Sequence, residues 1–105
     1  MKAYELLSSP DTWCREAVAK DAHGDNVTPF DPEAVQWCAL AAVQKVYPPA
    51  EWEEAMNRVL RALSVSEEGI KQLSKSDKAC CVMEWNDQRE SSYPEIRKIL
   101  LDADV

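Results

Sequence analysis

Six prolines set the limits of the regular elements in this chain. A proline inside a helix removes a backbone donor and collides with the preceding turn, so Pro10, Pro29, Pro32, Pro48, Pro49 and Pro94 belong at element ends. The segments between them mostly carry apolar residues at the helical period. With two glycines and 46% hydrophobic residues among 105, the chain holds enough apolar material for an ordered core and lies far from disordered compositions. The expected fold is mainly α. It is one domain over residues 1–105, a compact orthogonal bundle of about five short helices around a buried central helix, with a small β-hairpin possible near residues 14–29.

"FDPEAVQWCALAAVQKVYPP" is the strongest helical signal. Asp31 supplies an N-cap oxygen, Pro32 fits the first helical position, and Pro48 with Pro49 stop the helix. Being apolar nearly all round, the helix from Pro32 to Tyr47 reads as central and buried. Trp13, Trp37, Cys38 and Trp52 are the expected structural core.

Upstream, "KAYELLSS" is a short helix candidate, and "DAHGDN" is a turn with Gly24 available for positive φ, so residues 13–29 fit either a helix through Lys20 or a hairpin. Downstream, "PAEWEEAMNRVLRALS" carries the stripe Trp52, Met56, Val59 and Leu63 and allows a Glu54 to Arg58 pair. Ser64 with Glu67 has the capping-box form ahead of Ile70 and Leu73. Ser92 with Glu95 repeats it ahead of the stripe Ile96, Ile99, Leu100 and Ala103. "KACCVMEW" fits a helix or an extended segment, because so short an apolar run has no decisive period. The echo between "WCREAVAK" and "WCALAAVQK" is too slight for a repeat.

No catalytic constellation stands out. On the helical reading Cys38 falls two turns inside its helix, beyond the reach of the dipole that activates thiols, and packing is the expected role. A zinc site from Cys14, His23, Cys38 and Cys80 or Cys81 lacks any Cys-x-x-Cys knuckle. "DAHGDN" lacks the spacing and terminal glutamate of a calcium loop. Lys71, Lys75 and Lys78 form a basic stripe that reads as a solvated face. Asn86 and Asp87 suit local backbone capping at the entry to the last helix. No metal and no cofactor is expected.

A net charge of -7 argues against nucleic acid and anionic membranes, and favours a protein partner with a basic surface. Acids and bases alternate along most of the chain, which argues against a nucleic-acid mimic. The expected contact residues are Glu51, Glu53, Glu54, Glu67 and Glu68, with Trp85, Asn86 and Asp87. No apolar run suits a signal peptide or a membrane span, so a cytoplasmic location with reduced cysteines is expected.

The pieces "WC" at Trp13 and Cys14, "KDAHGD", "DPEAVQWCALAAV" and "WND" at Trp85 to Asp87 resemble, in the same order, a family of short bacterial and phage proteins of unknown function. Ala41 stands where that pattern often has glycine. The resemblance implies a shared compact fold and supplies no activity. The functional expectation is a non-enzymatic acidic cytosolic interaction module, a phage or mobile-element accessory that binds and inhibits a host protein. The alternative is a small thiol-dependent enzyme or sensor using Cys38, Cys14 or the Cys80 and Cys81 pair with His23 or Asp87. A structural homo-oligomer is a third.

Overall fold

A computed structural model describes residues Met1–Val105. In chain order the elements are α1 (Ala3–Leu6), a 3-10 turn (Pro10–Thr12), β1 (Ala19–Asp21), β2 (Asn26–Val27), β3 (Ala34–Trp37), α2 (Ala39–Val46), α3 (Pro49–Ala62), α4 (Glu67–Gln72), α5 (Lys75–Asp87) and α6 (Tyr93–Ala103). The architecture is mainly α with a small antiparallel sheet of order β2-β1-β3. Helix α2 packs against α1, α3 and α5, while α3 also packs on α6. No helix is long and apolar enough to cross a membrane.

The central helix is half the expected length. Asp31 does not cap it. Its carboxylate accepts from the Glu33 amide at 2.8 Å, and its carbonyl accepts from the Ala34 amide at 3.0 Å, closing a turn that goes no further. "AVQW" then runs extended and pairs with β1, Trp37 opposite Ala19 and Gln36 opposite Lys20. A two-stranded hairpin alone is marginal in water, and the third strand completes a sheet that can persist. Local periodicity favoured helix here; a pairing about fifteen residues away in sequence overrode it.

What remains, α2, begins after Cys38 and is buried along Ala39, Leu40, Ala41, Ala42 and Val43. Eight residues are too few for a stable helix in isolation, so α2 exists because its neighbours enclose it. The alanines let those neighbours come close. Trp37 is only half-buried, and Val35 is exposed, so neither belongs to the interior as the longer helix would require.

Between β1 and β2 the chain turns through Gly24 at φ +82°, which settles residues 14–29 as a hairpin. The helices downstream follow their stripes: Met56 and Val59 are buried in α3, Ile96, Leu100 and Ala103 in α6. Their caps differ from expectation. Ser64 lies past the end of α3 at φ 69°, where its amide donates to Arg61 and that of Val65 to Leu60, a Schellman-type ending. It is therefore unable to begin α4, and Ser66 does so by accepting from the Gly69 amide at 3.1 Å. Ser92 makes no side-chain cap, and Pro94 removes one of the donors it would serve. "KACCVMEW" is helical within α5, which opens on a reciprocal Ser74 and Asp77 capping box.

The strand reading of residues 34–37 makes a stability prediction. Leu60→Ala, at a fully buried position, should cost about 2–5 kcal/mol by cavity formation. Val35→Ala should lie within about 0.5 kcal/mol of the parent. Urea midpoints of the two variants test this, and a large loss at Val35 would restore the longer helix.

Candidate functional site

The residues with chemical potential gather at one junction, where the Trp13–Glu16 segment, the start of α2 and the end of α5 meet. Asn86, in the last turn of α5, is fully buried. Its Oδ1 accepts from the Trp13 indole at 2.7 Å and from the Ala39 amide at 2.9 Å. Its Nδ2 donates to the Cys14 carbonyl at 3.2 Å and to Asp87 Oδ1 at 3.0 Å. All the bonding capacity of one amide is in use. Asp87 in turn accepts from the Glu16 amide at 2.9 Å and so holds Glu16 at φ 61°, a backbone position that disfavours side chains. Arg15 lies over the Trp13 ring with its carbon 5.2 Å from the centroid, and its guanidinium donates to the Ser91 carbonyl.

Cys38 is the N-cap of α2, not a residue two turns inside a helix as the sequence implied. Its sulfur accepts from the Ala41 amide at 3.4 Å. A thiol at a helix N-terminus is often activated. Here burial raises its pKa, the Ala41 and Leu40 amides pull it back, and Asp87 adds to the rise, so the net direction is up. Burial likewise pushes the Cys14 thiol up to about 11, with Cys38 and Asp87 reinforcing the shift and Lys20 opposing it. Both are protonated at neutral pH.

His23 is not brought to either thiol. The Cys38 amide pairs with Val18 at the near end of β1, whereas His23 lies beyond Asp21 in the exposed turn. Three residues of strand alone put about 10 Å between those ends. Asp87 is close enough to influence Cys38 but raises its pKa, which opposes thiolate formation. No three His, Cys, Asp or Glu side chains converge as a metal site. Cys80 is exposed on α5 beside Met83, Glu84 and Asp87, and Cys81 is half-buried.

The expected contact residues divide. Trp85 and Asn86 are buried, and Asp87 is turned to the Glu16 amide, so this trio is an internal clasp. Glu53 pairs with Lys78 at 2.9 Å, Glu54 with Arg58 at 3.8 Å and Arg61 at 3.5 Å, and Glu67 with Arg61 at 2.6 Å. Of the basic stripe, Lys71 and Lys75 are exposed as on a solvated face, whereas Lys78 is buried and its ammonium holds the Glu53 carboxyl below the usual range. Glu51 and Glu68 are exposed without a cation. Of the expected core, Cys38 is buried, whereas Trp13, Trp37 and Trp52 are half-buried, each with its indole N–H on an acceptor: Asn86, the Pro29 carbonyl at 3.1 Å and the Tyr47 carbonyl at 2.7 Å. An amphipathic ring with a fixed donor suits that border position.

Sequence reasoning missed the carboxylates of the sheet. Residues 19–37 contain Asp21, Asp25, Asp31 and Glu33 against one lysine, Lys20, and none of them joins an ion pair. All six ion pairs link residues of the helical body and the chain ends. The signal was present as the local excess of acids around "DAHGDN" and "FDPE".

Two measurements test the junction. Asn86→Ala leaves the Trp13 indole, the Ala39 amide and the Cys14 carbonyl without their partner, and should cost at least about 3 kcal/mol in urea unfolding, since each orphaned buried group costs about 1–3. The thiols give the second. Cys80 should react at once with a disulfide reagent, Cys81 more slowly, and Cys14 and Cys38 only on unfolding. Because the folded Cys14 pKa is raised from 9.0 to about 11, its stabilising effect is complete below pH 9 and is lost as pH rises toward 11. Cys14→Ala should flatten that alkaline decline.

The chain belongs to a family of unknown function, DUF6197, whose model matches residues 1–104. No curated protein and no solved structure matches it.

Proposed function

We propose that this family member is a non-enzymatic interaction module that binds a protein with a basic surface and modulates it. The observation that carries the reading is the uneven use of charge. Residues 19–37 hold Asp21, Asp25, Asp31 and Glu33 against the single lysine Lys20, and none of the four joins an ion pair, whereas the rest of the chain holds fifteen acids against eleven lysines and arginines. Unmatched carboxylates on one lobe produce a directional field that speeds encounter with a basic patch and repels acidic competitors. The buried, proton-bearing thiols at the Asn86 junction support the same reading, because a nucleophile needs the thiolate. The contact surface thus moves from the helix glutamates to the sheet. A reducing cytosolic setting suits the four unpaired cysteines.

The test is capture of the tagged protein's partner at low salt, followed by reconstitution from purified components. A one-to-one complex is expected, with association slowed about tenfold when Asp21→Asn, Asp25→Asn, Asp31→Asn and Glu33→Gln are combined. The amides keep the oxygens that the turns use. Glu53→Gln with Glu67→Gln should leave the association rate unchanged. Absence of any stoichiometric protein partner, or a rate indifferent to the sheet carboxylates, would overturn the reading.

A further inference from the structure

Phe30 keeps 55% of its surface exposed, and Val35 keeps 44%. Both belong to the loop and strand that cross from β2 to α2. Isolated exposed apolar side chains are ordinary on protein surfaces, so exposure by itself says little. The surroundings of these two say more.

The loop is closed by its own hydrogen bonds. The Asp31 amide donates to the Thr28 carbonyl at 3.1 Å, the Glu33 amide to the Asp31 carboxylate at 2.8 Å, and the Ala34 amide to the Asp31 carbonyl at 3.0 Å. The Trp37 indole reaches back to the Pro29 carbonyl at 3.1 Å and ties the far end. None of these bonds uses the Phe30 side chain. The ring is carried by a loop closed by these bonds and is not among the side chains packed on the core.

Val35 has a related origin. Gln36 pairs with Lys20 and Ala34 with Asp21, which leaves Val35 as the unpaired residue of a β-bulge. Bulges redirect a side chain away from the regular pleat. Residues 28–37, which hold Phe30 and Val35, also carry Asp31 and Glu33, neither with a cationic partner.

A fixed aromatic ring, a redirected aliphatic side chain and an unmatched acidic border coincide here. We infer, resting on the interaction-module reading, that the segment of residues 28–37 is the docking element, with Phe30 inserting into an apolar socket on a partner protein whose rim carries lysine or arginine. Charge complementarity selects that occupant. A second copy of this chain would bring like charges together, and an anionic lipid surface would repel the border of the loop. The internal hydrogen bonds lower the ordering cost of binding, because the loop already holds its shape. Asp31 and Glu33 steer and orient; Phe30 provides the buried anchor.

The experiment places a photoreactive benzoylphenylalanine at position 30 in the full chain, and at Leu101 as an exposed apolar control, inside cells expressing it. Position 30 should yield an adduct with one protein that position 101 does not. With that protein purified, Phe30→Ala should weaken binding about thirtyfold or more, as a hot-spot anchor does, with an unchanged thermal melt. Phe30→Tyr should retain most of the affinity. Glu33→Gln should weaken binding severalfold at low salt and little at high salt. Adducts between two copies, with lipid, or alike from both positions would overturn the inference, as would no adduct or affinity indifferent to Phe30→Ala. A salt-sensitive partner that tolerates Phe30→Ala would end the anchor while leaving the acidic-module reading in place.

Discussion

Asn86 holds together parts of the chain that have no local reason to meet. Its amide joins the last turn of α5 to the first turn of α2 and to the Trp13–Cys14 segment through three hydrogen bonds, with a fourth to its neighbour Asp87, in a fully buried setting. The first amide of α2 is one of those bonds, so the same side chain that secures the N-terminal segment also satisfies the start of the central helix. An aspartate would offer the acceptor without the donor, and would add a charge next to Asp87. Only asparagine meets both demands without an ion.

The rest of the interior depends on that junction. Helix α2 is short, and its run of alanines has little surface of its own to bury, so its stability comes from α1, α3 and α5 closing around it. Cys38 caps the helix with sulfur where serine or aspartate is usual, and burial keeps the thiol protonated. Cys14 and Cys38 are packing groups in a place where their chemistry is suppressed.

Electrostatics divide the molecule in two. Around α3, α4 and α5, Glu53, Glu54 and Glu67 meet arginines and a buried lysine, pairs that are mostly exposed and so contribute little stability, while Glu51, Glu68 and Glu84 stand without a cation. In residues 19–37 the Asp21 and Asp31 carboxylates accept from backbone amides of their own turns, and none of the four acids meets a cation. The helical body has more carboxylates, but it also has nearly all of the lysines and arginines, so the local excess of negative charge is densest in residues 19–37.

Much of the outline is determined by the sequence alone. Pro48, Pro49 and Pro94 mark the starts of α3 and α6, the stripe of α6 marks its buried face, Gly24 places the hairpin turn, and the composition makes the chain mainly α, because these signals act over a few residues. Tertiary structure decided the remainder. It drew "AVQW" out of a helical pattern into β3, since a sheet partner outweighs propensity over four residues. It made Asn86 a hub, a role with no local signature, because its partners are 47 to 73 residues away. It paired Glu53 with Lys78 across 25 residues, which no neighbourhood in sequence reveals. Each of these rests on a contact between segments distant along the chain, and such contacts exist only once the elements have packed.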